Sequence, residues 1–214
     1  MRDGRITDRL HPARKAFRSG QSPATVLAMT NPALPTGTLL LCLDLQPVFI
    51  RALSDGARMQ RRCKFAVTAA VGVDLPVLFT EQVPSKLGGT SPELLALAGG
   101  ASVFAKSTFS ALADDGIRAA LLEKHKAEHL LLCGIETPIC VYQTAIAALA
   151  EGLHVTLLSD AVGARRPDDA EDCLTALQHA GVNILPSETV FYALLRDVEH
   201  PFFKAYTQLV KSHA

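Results

Sequence analysis

Three side chains with complementary chemistry stand beside short apolar runs that are far apart in the chain: Asp44, Lys106 and Cys140. A carboxylate that accepts a proton, an ammonium that stabilises an anion and a nucleophilic thiol together predict covalent hydrolysis of a carbonyl compound. In that reaction Cys140 attacks the carbonyl carbon, while Asp44 takes the thiol proton and returns it to the leaving group. Taken singly, each residue also has an ordinary structural role, as a turn cap, a strand-end charge or a buried inert thiol.

The position of Cys140 predicts how its thiol is activated. Thr137-Pro138 has the pattern of a helix N-cap followed by proline, which puts Cys140 at the third helical position. Unpaired backbone NH groups and the positive end of the helix dipole favour a thiolate there, and Lys106 adds a positive charge. The pH dependence of Cys140 alkylation tests this expectation: a half-point well below about pH 8.5, the value for a free cysteine, supports a hydrolase, whereas ordinary or absent reactivity favours a binding or scaffold protein.

The elements that must position these residues are predicted from the apolar pattern. Six short apolar runs alternate with longer helical stretches, and such runs are typical of strands covered on both faces. Parallel neighbours need crossovers, so the pattern predicts a three-layer α/β/α Rossmann-like fold with a six-stranded parallel sheet, whose ligands bind beyond the carboxyl ends of the strands. The predicted strands are Leu39 to Leu43, Val77 to Thr80, Ser102 to Ala105, His129 to Cys133, His154 to Leu158 and Val182 to Leu185.

Capping signals place the helices between and after these strands. Hydroxyl residues and prolines mark the helix starts, and glycines mark natural stops. The predicted starts are Ser91, Thr137, Pro167, Ser187 and His200-Pro201, and the predicted stops are Gly152 and Gly181.

The composition disfavours several classes of protein. The chain has 214 residues, 49% of them hydrophobic, and 21 basic residues balance 21 acidic ones, which predicts one compact domain without a metal or disulfide staple. Zero net charge gives no field that would collect nucleic acid or an anionic membrane, and no apolar run is long enough to span a bilayer. Five cysteines without a CxxC pair predict free thiols in a reducing compartment.

Residues 1–36 differ from the rest of the chain, with six basic residues, two acidic ones and four prolines. No helical or alternating period runs through them, so we predict a flexible basic leader ahead of a single domain at residues 37–214. A mitochondrial transit peptide is Arg-rich and poor in acids, and Asp3, Asp8 and the prolines weaken that alternative. The predicted location is the cytoplasm, with the mitochondrion as the alternative.

The sequence blocks around the three reactive residues resemble those of the isochorismatase-like cysteine hydrolases, a superfamily that also contains the nicotinamidases. The blocks are Asp44-Leu45-Gln46, Lys106 in Lys-Ser-Thr-Phe-Ser, and Gly-Ile-Glu-Thr-Pro-Ile-Cys-Val at 134–141. One block alone is a weak signal, but the ordered set is a specific one. Within the superfamily, Thr80-Glu81-Gln82 and His200 to Lys204 resemble the isochorismatase domain-containing protein 2 subgroup. Residues 37–214 are thereby interpreted as an isochorismatase-like hydrolase domain.

The resemblance implies a catalytic triad and an oxyanion hole. Asp44 is the implied general base, Lys106 the thiolate stabiliser and Cys140 the nucleophile of a hydrolase acting on a small amide, or less readily on a thioester or ester. A cis peptide bond between Ile135 and Glu136 is also implied, with the backbone NH groups of Glu136 and Cys140 forming the oxyanion hole. The resemblance further implies a homo-oligomer.

Departures from the wider superfamily narrow the expected chemistry. Nicotinamidases carry an Asp and two His as metal ligands near the first two strands, where this chain has Gln46 and Glu81-Gln82. We therefore expect neither a metal nor an organic cofactor, and nicotinamide is not the expected substrate. Isochorismatases that cleave a vinyl ether lack the nucleophilic cysteine, so ether hydrolysis is not expected either. Gln46, Phe49 and Gln82 follow the first two strands and are the predicted substrate-binding residues.

Two other functions stay open at this point. A non-catalytic or redox-sensitive binding or scaffold protein could keep the fold and the thiol, although binding alone does not require an acid and an amine beside the thiol. A nuclease would need a basic channel or a phosphate-binding loop, and the sequence indicates neither.

Overall fold

The computed structural model describes residues 37–213, so the leader predicted for residues 1–36 lies outside the described residues. All six predicted strands form, and they pair in parallel in one sheet of order β3-β2-β1-β4-β5-β6. The predicted three-layer α/β fold is confirmed. The strands are β1 (Thr38–Leu43), β2 (Val77–Gln82), β3 (Ser102–Lys106), β4 (His129–Ile135), β5 (His154–Gly163) and β6 (Asn183–Leu185).

The helices connect the strands and cover both faces of the sheet. A 3₁₀ turn at Ala111–Ala113 and π-helical turns at Ala120–Lys124 and Thr137–Val141 join them. Within residues 37–213, none of the helices has both the length and the apolar character needed to cross a bilayer. The α-helices are α1 (Pro47–Ile50), α2 (Gly56–Gly72), α3 (Pro84–Leu87), α4 (Pro92–Leu97), α5 (Asp115–Ala119), α6 (Tyr142–Ala150), α7 (Pro167–Ala180), α8 (Ser187–Leu195) and α9 (Phe203–Ser212).

The hydrophobic core lies on both faces of the central strand β1. Leu40 and Cys42 point to one face and pack with α2, α8 and α9, while Leu39, Leu41 and Leu43 point to the other and pack with α5, α6 and α7. Every residue of β1 is buried. Burial on both faces is the physical reason why the first apolar run has no alternating pattern.

The helices begin near the predicted caps, but their hydroxyl groups bond elsewhere. The Thr137 hydroxyl donates to the carbonyl of Gly163 at 3.2 Å instead of capping a helix. The Ser187 backbone NH and hydroxyl both donate to the Asp160 carboxylate, each at 2.8 Å. The C-terminal helix starts at Phe203, two residues beyond the predicted Pro201. In these places acceptors supplied by the tertiary fold replace the local caps that the sequence predicts.

The order of the strands locates the candidate site. From β1 the chain adds β2 and β3 on one side and then crosses to place β4 on the other, so the direction reverses between β1 and β4. Ligands of open α/β sheets bind at the carboxyl edge next to such a reversal. Asp44 follows β1 there, and the turn that carries Cys140 follows β4.

Gly134 lets β4 approach β1 closely just below this edge. It pairs with Leu43 in the sheet and has a φ of +122°, in the region that favours glycine. A Cβ added there would lie 2.0 Å from the Leu43 carbonyl oxygen, a distance that real Cβ atoms do not adopt. The spacing of the two strands that lead to Asp44 and Cys140 therefore requires glycine.

We expect Gly134→Ala to lower the free energy of unfolding by about 3 kcal/mol or more, because the added methyl group forces β1 and β4 apart. Chemical denaturation followed by circular dichroism measures this. Gly99→Ala is the matched control, since a Cβ at Gly99 meets nothing within 4 Å, and it should change stability by less than about 0.5 kcal/mol. Equal stability of the two variants would contradict the close approach.

Candidate active site

The structure brings Asp44, Lys106 and Cys140 together at the carboxyl edge of the sheet. Asp44 directly follows β1, Lys106 ends β3, and Cys140 lies in the π-helical turn after β4. The Lys106 Nζ is 2.8 Å from Asp44 Oδ2 and 3.7 Å from Cys140 Sγ. The exposed fractions of the three residues are 1%, 3% and 7%, so the cluster is almost completely removed from water.

The Lys106 ammonium is the centre of the cluster. Besides Asp44, it donates to the Gln82 side-chain oxygen at 2.5 Å and to the Thr108 carbonyl at 3.1 Å. Three oxygen acceptors thus match its three protons, and the Cys140 sulfur is a fourth and longer contact. A buried ion pair survives desolvation only when its remaining hydrogen bonds are made in this way.

The Asp44 carboxylate is fixed from two sides. The Thr80 hydroxyl donates to its Oδ1 at 2.7 Å, while Lys106 occupies its Oδ2. The Asp44 backbone NH donates to the Thr80 carbonyl, so the first residue beyond β1 still follows the hydrogen-bond ladder to β2. Asp44 itself has a φ of +54°, which turns the chain away from the strand direction at this residue.

The thiol of Cys140 differs from the sequence-based expectation. Burial, and then the neighbouring Asp44 carboxylate, raise the pKa of Cys140 to about 12, and the opposing effect of Lys106 is smaller. The expectation of a stabilised thiolate is therefore wrong for the resting protein, in which this group is a neutral thiol at pH 7. The argument from the helix start and Lys106 failed because it left out desolvation and the approach of Asp44, both of which arise from the tertiary fold.

A neutral thiol beside a carboxylate matches general-base activation. The thiol proton has an acceptor in the same cluster, so the sulfur can lose it as the carbon–sulfur bond forms. A permanent thiolate is not required for such a step.

Cys140 lines a cavity of about 300 Å³, a size suited to a small molecule. Most of its wall is apolar, and its polar wall groups include Asp44, Gln82 and an ion pair between Glu136 and Arg165. Of the predicted substrate-binding residues, Phe49 and Gln82 line the cavity. The apolar side chains in its wall are those of Val48, Phe49, Ala52, Phe109, Ile135 and Ile139.

Gln46 is not among the residues that line this cavity, contrary to the prediction. Its side chain is fully buried, with Nε2 donating to the carbonyls of Gln82 and Gly88 at 3.0 and 2.5 Å. Its Oε1 accepts the Gln82 backbone NH at 2.7 Å. Gln46 thus holds the end of β2, and through it Gln82, instead of facing a substrate.

The loop after β4 forms one side of the cavity. The peptide bond between Ile135 and Glu136 is cis, and both residues line the cavity with Cys140. The Glu136 carbonyl accepts the NH groups of Ile139 and Val141 at 3.0 and 3.1 Å, so the chain forms a tight turn around Cys140. The oxyanion-hole role of the Glu136 and Cys140 backbone NH groups stays a prediction.

Sequence reasoning missed Arg165, Phe109 and the hydrogen-bonding role of Thr80. Arg165 follows β5 at the same edge of the sheet as Asp44, so the argument from strand ends could have found it. Phe109 and Thr80 gave no such signal, because a loop aromatic residue and a threonine in a strand are ordinary in those settings.

Two further features were compared with this site. A groove of about 430 Å³ between α7 and β5 is larger, but Asp44, Lys106 and Cys140 are not among its lining residues. In residues 37–213 no group of three or more His, Cys, Asp or Glu side chains is arranged to hold a metal ion. The cavity at Cys140 is therefore the candidate active site.

Comparison with protein families gives a match over most of the described chain. The isochorismatase domain matches residues 38–189, a range that contains Asp44, Lys106 and Cys140. The isochorismatase domain-containing protein 2A of Mus musculus is 31% identical over 188 residues, which cover 88% of this chain and 89% of that protein.

Solved structures with the same fold were also found. The MAR1 ribonuclease from Caenorhabditis elegans has 30% sequence identity and a TM-score of 0.77, with 83% of this chain and 91% of that chain covered. The YcaC gene product from Escherichia coli, described as an octameric hydrolase of unknown specificity, has 21% identity and a TM-score of 0.73, with 83% and 94% covered. At that identity, the second likeness concerns the fold alone.

We expect Asp44→Asn to lower the pKa of Cys140 and to speed its alkylation by iodoacetamide at pH 8, because the anion that raises the pKa is removed while Lys106 remains. In the unaltered protein the half-point should lie above about 8.5. Peptide mass spectrometry across a pH series measures both.

Cys173, half-buried on α7, serves as the internal control in the same samples, since its alkylation should not respond to Asp44→Asn. A half-point for Cys140 below that of free cysteine in the unaltered protein would contradict the neutral-thiol assignment. So would slower alkylation of Cys140 in the asparagine variant.

Proposed function

The chain belongs to the isochorismatase domain family of hydrolases, and on that premise we propose that it is a cysteine hydrolase that cleaves small amides through a covalent thioester intermediate. The observation that carries this proposal is the contact of Lys106 with both Asp44 and Cys140 beside an apolar cavity of small-molecule size. A binding protein gains nothing from burying an acid, an amine and a thiol together, because the desolvation of charged groups is costly.

The proposed reaction begins when Cys140 Sγ attacks the carbonyl carbon of the amide. The thiol proton passes to the Asp44 carboxylate, and Lys106 balances the negative charge that develops around the sulfur. The tetrahedral oxyanion accepts hydrogen bonds from the backbone NH groups of Glu136 and Cys140, each contributing about 3 kcal/mol. The carbon–nitrogen bond then breaks, and the amine leaves with the proton held by Asp44.

The second half of the reaction restores the enzyme. Water attacks the thioester carbon and gives a proton to Asp44, the carbon–sulfur bond breaks, and the sulfur recovers its proton from Asp44. Asp44 is therefore base and acid in alternation, and no bound metal is needed to move these protons. Gln82 keeps Lys106 in place through both halves.

Amides are the preferred substrate class for a chemical reason. An amine is a poor leaving group unless it is protonated as the carbon–nitrogen bond breaks, and Asp44 can deliver to it the proton that it took from the Cys140 thiol. Esters and thioesters need this proton less, so the acid–base pair is best explained by cleavage of C–N bonds.

A nuclease function is the second candidate, because the C. elegans neighbour is named a ribonuclease. Recognition of an RNA chain rests on cationic contacts to successive phosphates. The cavity of this chain is instead mainly apolar, and its arginine, Arg165, is already paired with Glu136. These observations favour the small amide.

We also propose a homo-oligomer in the cytoplasm. The oligomer is proposed from the resemblance to the isochorismatase-like hydrolases, and the five free cysteines support a reducing compartment. The apolar C-terminal segment gives no further support for an oligomer, because Tyr206 is fully buried and Phe202 packs against Gly72 of the same chain. Light scattering on the purified protein tests the oligomeric state.

We expect hydrolysis of at least one member of a panel of small aliphatic and aromatic amides, with ammonia release as the readout. Cys140→Ala and Asp44→Asn should each lower kcat by about 100-fold or more, since one removes the nucleophile and the other the proton acceptor. Mass spectrometry of the quenched reaction should detect an acyl group on Cys140.

Cys173→Ala is the matched control, because Cys173 lies on α7 outside the cavity and its removal should leave kcat unchanged. Thermal unfolding of each variant separates lost chemistry from lost structure. Turnover that persists in the Cys140→Ala variant would rule out the covalent mechanism.

A further inference from the structure

The cavity at Cys140 holds a second ion pair besides that of Asp44 and Lys106. The Arg165 guanidinium donates through Nε to one oxygen of Glu136 and through Nη2 to the other, at 3.4 Å for the second contact. The Glu136 side chain is 10% exposed, whereas that of Arg165 is 59% exposed. A nearly buried carboxylate in the cavity wall is thus neutralised by an arginine that reaches it from the solvent side.

The two ion pairs leave the cavity without an unpaired charge among the residues that line it. Asp44 is paired with Lys106 and Glu136 with Arg165, while most other lining side chains are apolar. A charged substrate group would either remain unpaired in a mainly apolar space or have to break one of these pairs, and both are unfavourable. An uncharged acyl group meets neither penalty.

We propose that Glu136 determines the substrate class of this site by occupying Arg165, so that the cavity accepts amides with an uncharged, apolar acyl group and rejects those that carry a carboxylate. The proposal rests on the function proposed above, and it adds a specificity-determining role for the Glu136 side chain. Freed from Glu136, the guanidinium would offer a substrate carboxylate the same forked pair of donors.

The backbone holds Glu136 and Arg165 close together, so Arg165 can leave Glu136 for a substrate carboxylate by side-chain movement alone. Ile135 and Gly163 are sheet partners at the ends of β4 and β5, and Glu136 and Arg165 follow within two residues of them. Arg165 also remains largely exposed, so its side chain is free to move between Glu136 and a substrate group. The neighbouring Arg166 pairs with Asp169 on α7 and is not a lining residue of the cavity, which makes it a matched control.

The test compares two amides of the same size. 4-Methylpentanamide ends in an uncharged isopropyl group, whereas succinamate ends in a carboxylate at the same position. The unaltered protein should prefer the neutral amide by about tenfold or more in kcat/KM. Glu136→Gln should raise kcat/KM for succinamate by about tenfold, mainly through a lower KM, and the further change Arg165→Gln should abolish that gain. Arg166→Gln should leave the ratio unchanged.

A complementary variant covers the case in which Glu136→Gln does not fold. Arg165→Gln alone leaves Glu136 without its partner, and it should shift the preference toward the cationic 4-aminobutanamide by about tenfold. Thermal unfolding confirms that each variant compared is folded. Equal use of neutral and anionic amides by the unaltered protein, or a gain for succinamate that survives loss of Arg165, would overturn the proposal.

Binding measurements separate this inference from the proposed hydrolysis. Calorimetry with the Cys140→Ala variant, with and without Glu136→Gln, reports the affinity for the same two amides without turnover. If the unaltered protein hydrolyses no amide of the panel but Glu136→Gln shifts the binding preference toward succinamate, the role of Glu136 in selecting uncharged ligands holds and the amidase proposal fails. If hydrolysis occurs and the preference does not respond to Glu136→Gln, the amidase proposal holds and the role of Glu136 is wrong.

Discussion

The site depends on one buried contact, the ion pair between Asp44 and Lys106. Its two charges come from the ends of β1 and β3, and the strand between them supplies Thr80 and Gln82 to complete the hydrogen bonds. Because a buried charge with an unfilled hydrogen bond is expensive, the three strand ends must keep one arrangement for the pair to persist. That arrangement also fixes where the Cys140 sulfur lies relative to both charged groups.

Charge balance links the chemistry of the site to the shape of the cavity. Burial and then the Asp44 carboxylate raise the pKa of Cys140, so the resting thiol is neutral, and Glu136 and Arg165 balance each other in the same wall. The cavity therefore combines charged groups with no net local charge, next to a mainly apolar surface. Polar groups that are already satisfied can hold a reacting atom in place without attracting water or ions.

Particular elements show how far sequence reasoning reached. The six strands were predictable because strands buried on both faces read as continuous apolar runs, and Asp44, Lys106 and Cys140 stood out as reactive residues next to them. Local capping rules were less reliable, since the Thr137 hydroxyl donates a hydrogen bond to the carbonyl of Gly163, which lies 26 residues later in the chain. The prediction that Gln46 binds substrate and the prediction of a Cys140 thiolate were wrong for the same reason. The contacts of Gln46 and the pKa of Cys140 both depend on neighbours that are distant in sequence.

Hydrophobic periodicity and residue type were sufficient to predict the sheet, the edge of the sheet that carries the candidate site, and the three side chains that meet there. Neither periodicity nor residue type predicts the protonation state of Cys140, the role of Gln46 as a support for β2, or the pairing of Glu136 with Arg165. Each of these depends on desolvation and on distances between groups from different strands. Such quantities do not exist in an extended chain and arise only when the strands come together.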